Sequence, residues 1–226
     1  MRAVKEIISA WPLLALLLLT DGIFISLHIW LWYIGRLEAV PQLNLEWQGS
    51  TAEYFNYLKW LTCSLACLWL FARGRAPLYL AWGALFFYFL VDDVESIRET
   101  GGAWIAGVMC WGPALALTEQ GLGELAVSSI AGAILLGAIA FAYWKSDDSE
   151  AKAFSRYLLP WLSALIIFGV GVDTLHAMVS NWTGLSTFLG VVEEGGEMIV
   201  ASVLTSVVCL QAVAVTRRAS QRLDAR

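Results

Sequence analysis

Residues 185–214 read LSTFLGVVEEGGEMIVASVLTSVVCLQAVA. The run is long and apolar enough to cross a bilayer as a helix, which takes about 20 residues, yet Glu193, Glu194 and Glu197 fall in its first half. A charged side chain near the membrane midplane costs about 2.5–3.5 kcal/mol on insertion scales. Three glutamates persist there only if something neutralises or hydrates them, so one stretch implies both a helical membrane protein and a site.

The rest of the chain has the same character. It is 59% hydrophobic and 13% aromatic, with 15% charged residues and twelve tryptophans, and its mean hydropathy is +0.67. Apolar runs recur at about 11–33, 56–72, 77–97, 121–144, 158–180 and 185–214. The expected fold is an all-α, polytopic transmembrane bundle of six spanning helices forming a single integral membrane domain over residues 1–226. A shorter run at 103–118, interrupted by Gly107, Gly112 and Pro113, reads as a re-entrant or interfacial piece. The N-terminus imitates a secretory signal, but its apolar run continues past Asp21 to Tyr33 without a small-residue cleavage site, as in an uncleaved first span.

Basic residues orient the spans. With the N-terminus inside, eleven of the fourteen lysines and arginines fall in inner segments, leaving Arg36, Lys59 and Arg98 outside, as the positive-inside tendency requires. A seventh crossing at 103–118 would reverse that bias. The expected location is a bacterial inner membrane with both termini cytoplasmic. Cys63, Cys67, Cys110 and Cys209 form no disulfide or zinc spacing, and Cys63 and Cys67 share an apolar helix face where packing is the expected role.

This topology places the intramembrane polar residues at one depth, the outer half. Asp21 lies near the middle of the first span and His28 seven residues beyond it on the same face. Asp92, Asp93 and Glu95 end the third span, Glu124 opens the fourth, Asp173 and His176 end the fifth, and Glu193, Glu194 and Glu197 open the sixth. Lys59 stands at the mouth of the second. Asp92/Glu95, Asp173/His176 and Glu194/Glu197 are i, i+3 pairs, which project from one helix face. Facing pairs of this kind assemble carboxylate-bridged di-metal sites in helical bundles, and Gly169, Gly171, Gly195 and Gly196 allow close helix approach. Glu99 and Glu119 read as solvated headgroup-level acids.

The strings FFYFLVDDVESIRETGG (86–102), GVGVDTLHAM (169–178) and VVEEGGEMIVAS (191–202), with GSTAEYFNYLK (49–59) in the outer loop, resemble segments of an uncharacterised family of bacterial polytopic membrane proteins. That family combines D-D-x-x-x-I-H-E-like, D-x-x-H and E-D-G-G-E-M-like segments. Here Arg98 stands where the resemblance implies a histidine, which removes one ligand from a His-rich metal model. The resemblance implies shared architecture and carries no activity.

Three functions fit the residues. In the first, Asp92, Glu95, Asp173, His176, Glu194 and Glu197 bind a divalent metal, with Asp21, His28, Asp93, Glu124 and Glu193 as further ligands or supports. Mixed carboxylate and imidazole donors suit iron, manganese or zinc. Open metal positions would act on a lipid-soluble substrate entering from the bilayer; whether the chain is an enzyme stays open. In the second, the acids relay protons or bind a cation for a transporter or channel, although neither inverted repeats nor broken helices are evident. In the third, the site senses metal or pH, or serves assembly. Acids sharing protons are the rival to metal in each case. No mid-span lysine is available for retinal, haem is poorly served by histidines beside acids, and no serine has an evident triad. The lipid bilayer is the expected partner and nucleic acid is not; the sequence leaves the oligomeric state open.

Overall fold

The computed structural model describes residues 2–74, 76–110, 117–179 and 182–224. The described residues are helical throughout, apart from short turns and loops. They form α1 (Arg2–Tyr33), α2 (Thr51–Gly74), α3 (Pro77–Glu95), α4 (Ile97–Met109), α5 (Glu119–Lys145), α6 (Ser149–Ile166), α7 (Asp173–Met178) and α8 (Thr183–Asp224). Wide π-type turns over Ile167–Val172 carry α6 into α7, and two 3₁₀ turns, Leu37–Ala39 and Pro41–Leu43, shape the loop between α1 and α2.

Local chemistry starts these helices where it does. Pro77 opens α3, where its missing N–H costs nothing. The Thr118 hydroxyl accepts from Gly121 N at 3.1 Å, and Asp148 Oδ1 accepts from Glu150 N and Ala151 N at 2.8 and 3.1 Å, capping α5 and α6. Between α3 and α4 the chain turns at Ser96, whose φ of +49° is left-handed.

Among the described residues, five helical stretches are long and apolar enough to cross a membrane: Trp11–Tyr33, Pro77–Glu95, Glu119–Lys145, Ser149–Met178 and Gly184–Arg218. The chain is therefore an α-helical membrane protein. At 24 residues α2 has the length, but Glu53, Asn56, Lys59 and Arg73 make it polar, and it buries Asn56, Lys59, Trp60, Cys63, Cys67 and Leu70 against its neighbours. It packs between α3 and α8, while α1 and α6 also lean on α8. The expected short piece at 103–118 falls partly outside the described residues. Described there are the end of α4, Cys110 and residues 117–118; the 13 residues of α4 span only about 20 Å, short of a hydrocarbon core of about 30 Å.

The core draws on α2, α3, α5, α6 and α8 and reaches the acids at Trp60. Trp82, Leu78 and Phe86 of α3 meet Cys63, Cys67 and Leu70 of α2, Leu158 of α6, and Leu204 and Val208 of α8. Trp60 and Phe86 stack at 6.1 Å, and Trp82 Nε1 donates to Ser155 Oγ at 3.0 Å. Cys63 and Cys67 are fully buried within it. The second contact that matters for the site joins α4 to α5 through glycines. A Cβ on Gly123 would collide with the Gly102 carbonyl, and one on Gly102 would lie 2.6 Å from Glu124 N. Backbone-to-backbone approach of this kind is how small residues join membrane helices, and it sets Arg98 and Glu124 side by side.

Gly123→Ala should therefore lower the melting temperature of the detergent-solubilised protein, because the added carbon has nowhere to go. Gly137→Ala, where the added carbon meets no neighbouring helix within 4 Å, should leave it unchanged or raise it slightly, through helix propensity worth up to about 1 kcal/mol. Equal responses of the two variants would show that α4 and α5 do not meet at these glycines.

Candidate functional site

Two polar centres lie in the bundle. The deeper one ties α1, α2 and α8. Asp21 is 0% and Lys59 2% exposed. Lys59 Nζ donates to Asp21 Oδ1 at 2.6 Å, to Asn56 Oδ1 at 3.0 Å and to the Met198 carbonyl at 3.1 Å, and it sits 4.6 Å over the Phe55 ring. Ser202 Oγ donates to Asp21 Oδ2 at 2.5 Å. Asp21 thus has private partners and does not line the acidic cavity, and Lys59 stands buried rather than at a solvated mouth. The reason is the cost of isolated charge: an intramembrane Asp and Lys on neighbouring helices each remove the other's penalty.

His28 is also fully buried. Its Nδ1 accepts from Leu45 N at 3.0 Å, which folds the α1–α2 loop back over the bundle. The proton then sits on Nε2, which has no partner among the described residues. His28 positions Leu45 at the cavity wall and does not itself line the cavity.

The second centre is a cavity of about 150 Å³ at the end of the bundle where α3 finishes and α2 and α8 begin. Glu46, Glu53, Asp92, Asp93, Glu99, Glu193, Glu194 and Glu197 line it, and Arg98 is the one cation among its lining residues. The Ser96 turn swings Arg98 back so that its backbone N donates to Asp92 Oδ1 at 2.9 Å. Arg98 Nη1 then donates to the Gly169 carbonyl at 2.9 Å and lies 3.6 Å from Asp173 Oδ2. Gly169 belongs to the wide turns between α6 and α7, a geometry often found at functional sites. Its missing side chain makes room for Glu197, whose carboxylate a Cβ there would strike. Gly196 likewise admits Phe168, whereas a Cβ on Gly171 would meet no neighbouring group within 4 Å.

Fixed hydrogen bonds hold the wall. Trp60 Nε1 donates to Asp93 Oδ2 at 3.0 Å. The Tyr57 hydroxyl lies 2.5 Å from Glu53 Oε1 and 2.9 Å from the Asp93 carbonyl, Glu53 also accepts from Gly49 N, and Gln48 meets the Ser96 hydroxyl. In the loop, desolvation raises the pKa of Glu46, and the nearby His176 pulls it part of the way back. Arg98 also lines two adjoining cavities. One, with Glu124, Asp173 and Thr174, has about 30 Å³. The other has about 150 Å³ and an apolar wall including Leu85, Phe89, Leu135, Leu162 and Ile166; Asp92, Asp93 and Glu197 belong to both it and the acidic cavity.

Of the six expected metal ligands, Asp92, Glu194 and Glu197 line the acidic cavity. Asp173 faces Arg98 from the small neighbouring one. Glu95 is exposed at the last residue of α3, so the i, i+3 pairing with Asp92 gives way to the adjacent Asp92 and Asp93. His176 turns from Asp173 to Glu193, with Nδ1 2.9 Å from Oε2, and to Ser186, with Nε2 2.9 Å from Oγ. Among the further residues, Asp93 and Glu193 line the cavity, while Glu124 receives Gln120 Nε2 at 2.9 Å. Among the described residues no group of three or more His, Cys, Asp or Glu side chains forms a metal-holding cluster. Arg98, which stands where the resemblance implies a histidine, is instead the cation of this site, and it is the one arginine between the third and fourth expected spans.

Removing one member of the deep pair should be costly and removing both should not. Lys59→Met or Asp21→Leu alone should destabilise by about 3–5 kcal/mol, and the double variant should recover most of it, measured by thermal or denaturant unfolding in detergent. Additive losses would contradict a mutually compensated pair. No protein-family model, curated protein or solved structure matches this chain.

Proposed function

We propose that this chain is a six-span inner-membrane protein that exchanges protons for a cationic guest at the acid-lined cavity. The observation that carries the reading is the charge imbalance at one place: eight carboxylates and a single guanidinium line a cavity of about 150 Å³. Crowded carboxylates in a poorly hydrated site are neutralised by protons or by bound cations, and Arg98, touching all three cavities, is a built-in competitor that an arriving cation displaces. The sixth span in this reading is α2, whose polar residues are turned inward. The distribution of basic residues supports cytoplasmic termini, and the three acidic strings that resemble bacterial polytopic membrane proteins support the bacterial inner membrane.

A second reading, a resident divalent iron, manganese or zinc ion, is favoured by Glu194 and Glu197 lining the cavity with Asp92 and Asp93. It requires these side chains to close on the ion from positions that form no such cluster now. A sensor of metal or pH would use the same cavity.

The experiment is reconstitution of the full chain in liposomes containing a pH-sensitive dye, with Mn²⁺ or Zn²⁺ added outside, alongside elemental analysis of the purified protein. Cation-dependent proton movement, reduced at least about tenfold in Glu197→Gln, is the expected result. A stoichiometric metal retained through purification with no proton movement decides for the resident ion. Neither metal nor proton movement removes both readings.

A further inference from the structure

At the edge of the acidic cavity, whose wall includes Glu46 and Glu193, three side chains stand in the order of a hydrolytic relay. Ser186 Oγ lies 2.9 Å from His176 Nε2, and Glu193 Oε2 lies 2.9 Å from His176 Nδ1. Ser186, Gly190 and Glu193 succeed one another at i, i+4 and i+7, so one face of α8 offers a hydroxyl and a carboxylate to opposite sides of a ring supplied by α7. Gly190 between them is required by space. A Cβ there would strike the Glu46 carboxylate and lie 3.2 Å from His176 Cε1.

The polarity of the array matters. A carboxylate on Nδ1 holds the proton on that nitrogen and leaves Nε2 as the base facing the hydroxyl. Ser186 belongs to the first turn of α8. The N–H groups of Thr183 and Gly184 there have no acceptor within the helix, and they stand at the positive end of its dipole, where a developing oxyanion is stabilised. The surface around this point is apolar and open: Trp182 is 68%, Phe188 62% and Leu175 53% exposed. On a membrane protein such a surface meets lipid.

We propose that Ser186, His176 and Glu193 form a nucleophilic triad that hydrolyses carboxylic esters of lipids presented at the membrane surface. His176 Nε2 takes the Ser186 proton as Oγ bonds to the ester carbonyl carbon. The tetrahedral adduct collapses by breaking the carbon–alkoxide bond, and His176 returns the proton to the leaving alcohol. Water, deprotonated by the same nitrogen, then adds to the acyl-serine, releasing the fatty acid and restoring the hydroxyl. Glu193 stabilises the imidazolium that forms at each transfer. The sequence offered no serine triad because His176 precedes Ser186 by ten residues on a different helix. Only the packing of α7 on α8 brings them into contact.

The test is covalent labelling of the full-length, detergent-solubilised chain with a fluorophosphonate probe, followed by peptide mass spectrometry. The adduct is expected on Ser186, absent in Ser186→Ala, retained in Ser163→Ala, and slowed by about 10²–10⁴-fold in Glu193→Gln, by analogy with loss of the orienting carboxylate in serine hydrolases. Turnover of a series of p-nitrophenyl esters should rise with acyl length and disappear with the adduct. An unlabelled wild-type protein, or an adduct on another residue, overturns the proposal. That outcome leaves the cation exchange untouched, because the liposome measurement does not involve Ser186.

Discussion

The organising constraint in this molecule is the cost of uncompensated charge in a medium without water. The bundle meets it in two ways. At depth, Asp21 and Lys59 neutralise each other completely, helped by Ser202, Asn56 and the Met198 carbonyl. Near the end of the bundle a single guanidinium faces many carboxylates. The first arrangement is closed around its charges, with the Lys59 ammonium and both Asp21 oxygens engaged, and behaves as a structural tie among α1, α2 and α8. The second is open, with a cavity and an excess of negative charge, and invites a positive guest.

The fold positions that excess by backbone devices more than by side-chain packing. The left-handed turn at Ser96 reverses the chain so that Arg98 meets Asp92. The glycine contact between α4 and α5 holds Arg98 beside Glu124. The wide turns around Gly169 present a carbonyl to Arg98 and space to Glu197. Each places a polar group where an ordinary helix would bury its own backbone atoms, and together they explain why the acids of α3 and α8 meet across one cavity while Glu95, only two residues beyond Asp93, faces outward.

Two different sets of side chains meet at the same end of the bundle. Around Arg98 the groups are numerous and alike, suited to binding and exchange. Around His176 they are few and different in kind, a hydroxyl, an imidazole and a carboxylate in line, suited to moving one proton along a defined path. Glu193 stands at the junction, lining the cavity with one side of its environment and orienting His176 with the other.

Membrane insertion and helical class were legible in the chain, because burial in lipid demands long apolar segments with internally satisfied backbones and leaves no alternative fold for them. That most of the acids gather at one end of the bundle was legible for a related reason, since position along a long helix fixes which end of a bundle a residue occupies. Rotation about the helix axis and the choice of partner were not. An i, i+3 pair shares a helix face, but what each member meets depends on its surroundings: Asp92 lines the cavity while Glu95, at the last residue of α3, is exposed, and Asp173 faces Arg98 while His176 bridges Glu193 and Ser186. Whether Lys59 met water or Asp21, and whether Ser186 met His176, depended on which helices packed together. Short-range hydrogen bonds between residues ten to thirty-eight positions apart decide such contacts, and only the tertiary structure brings those atoms within reach.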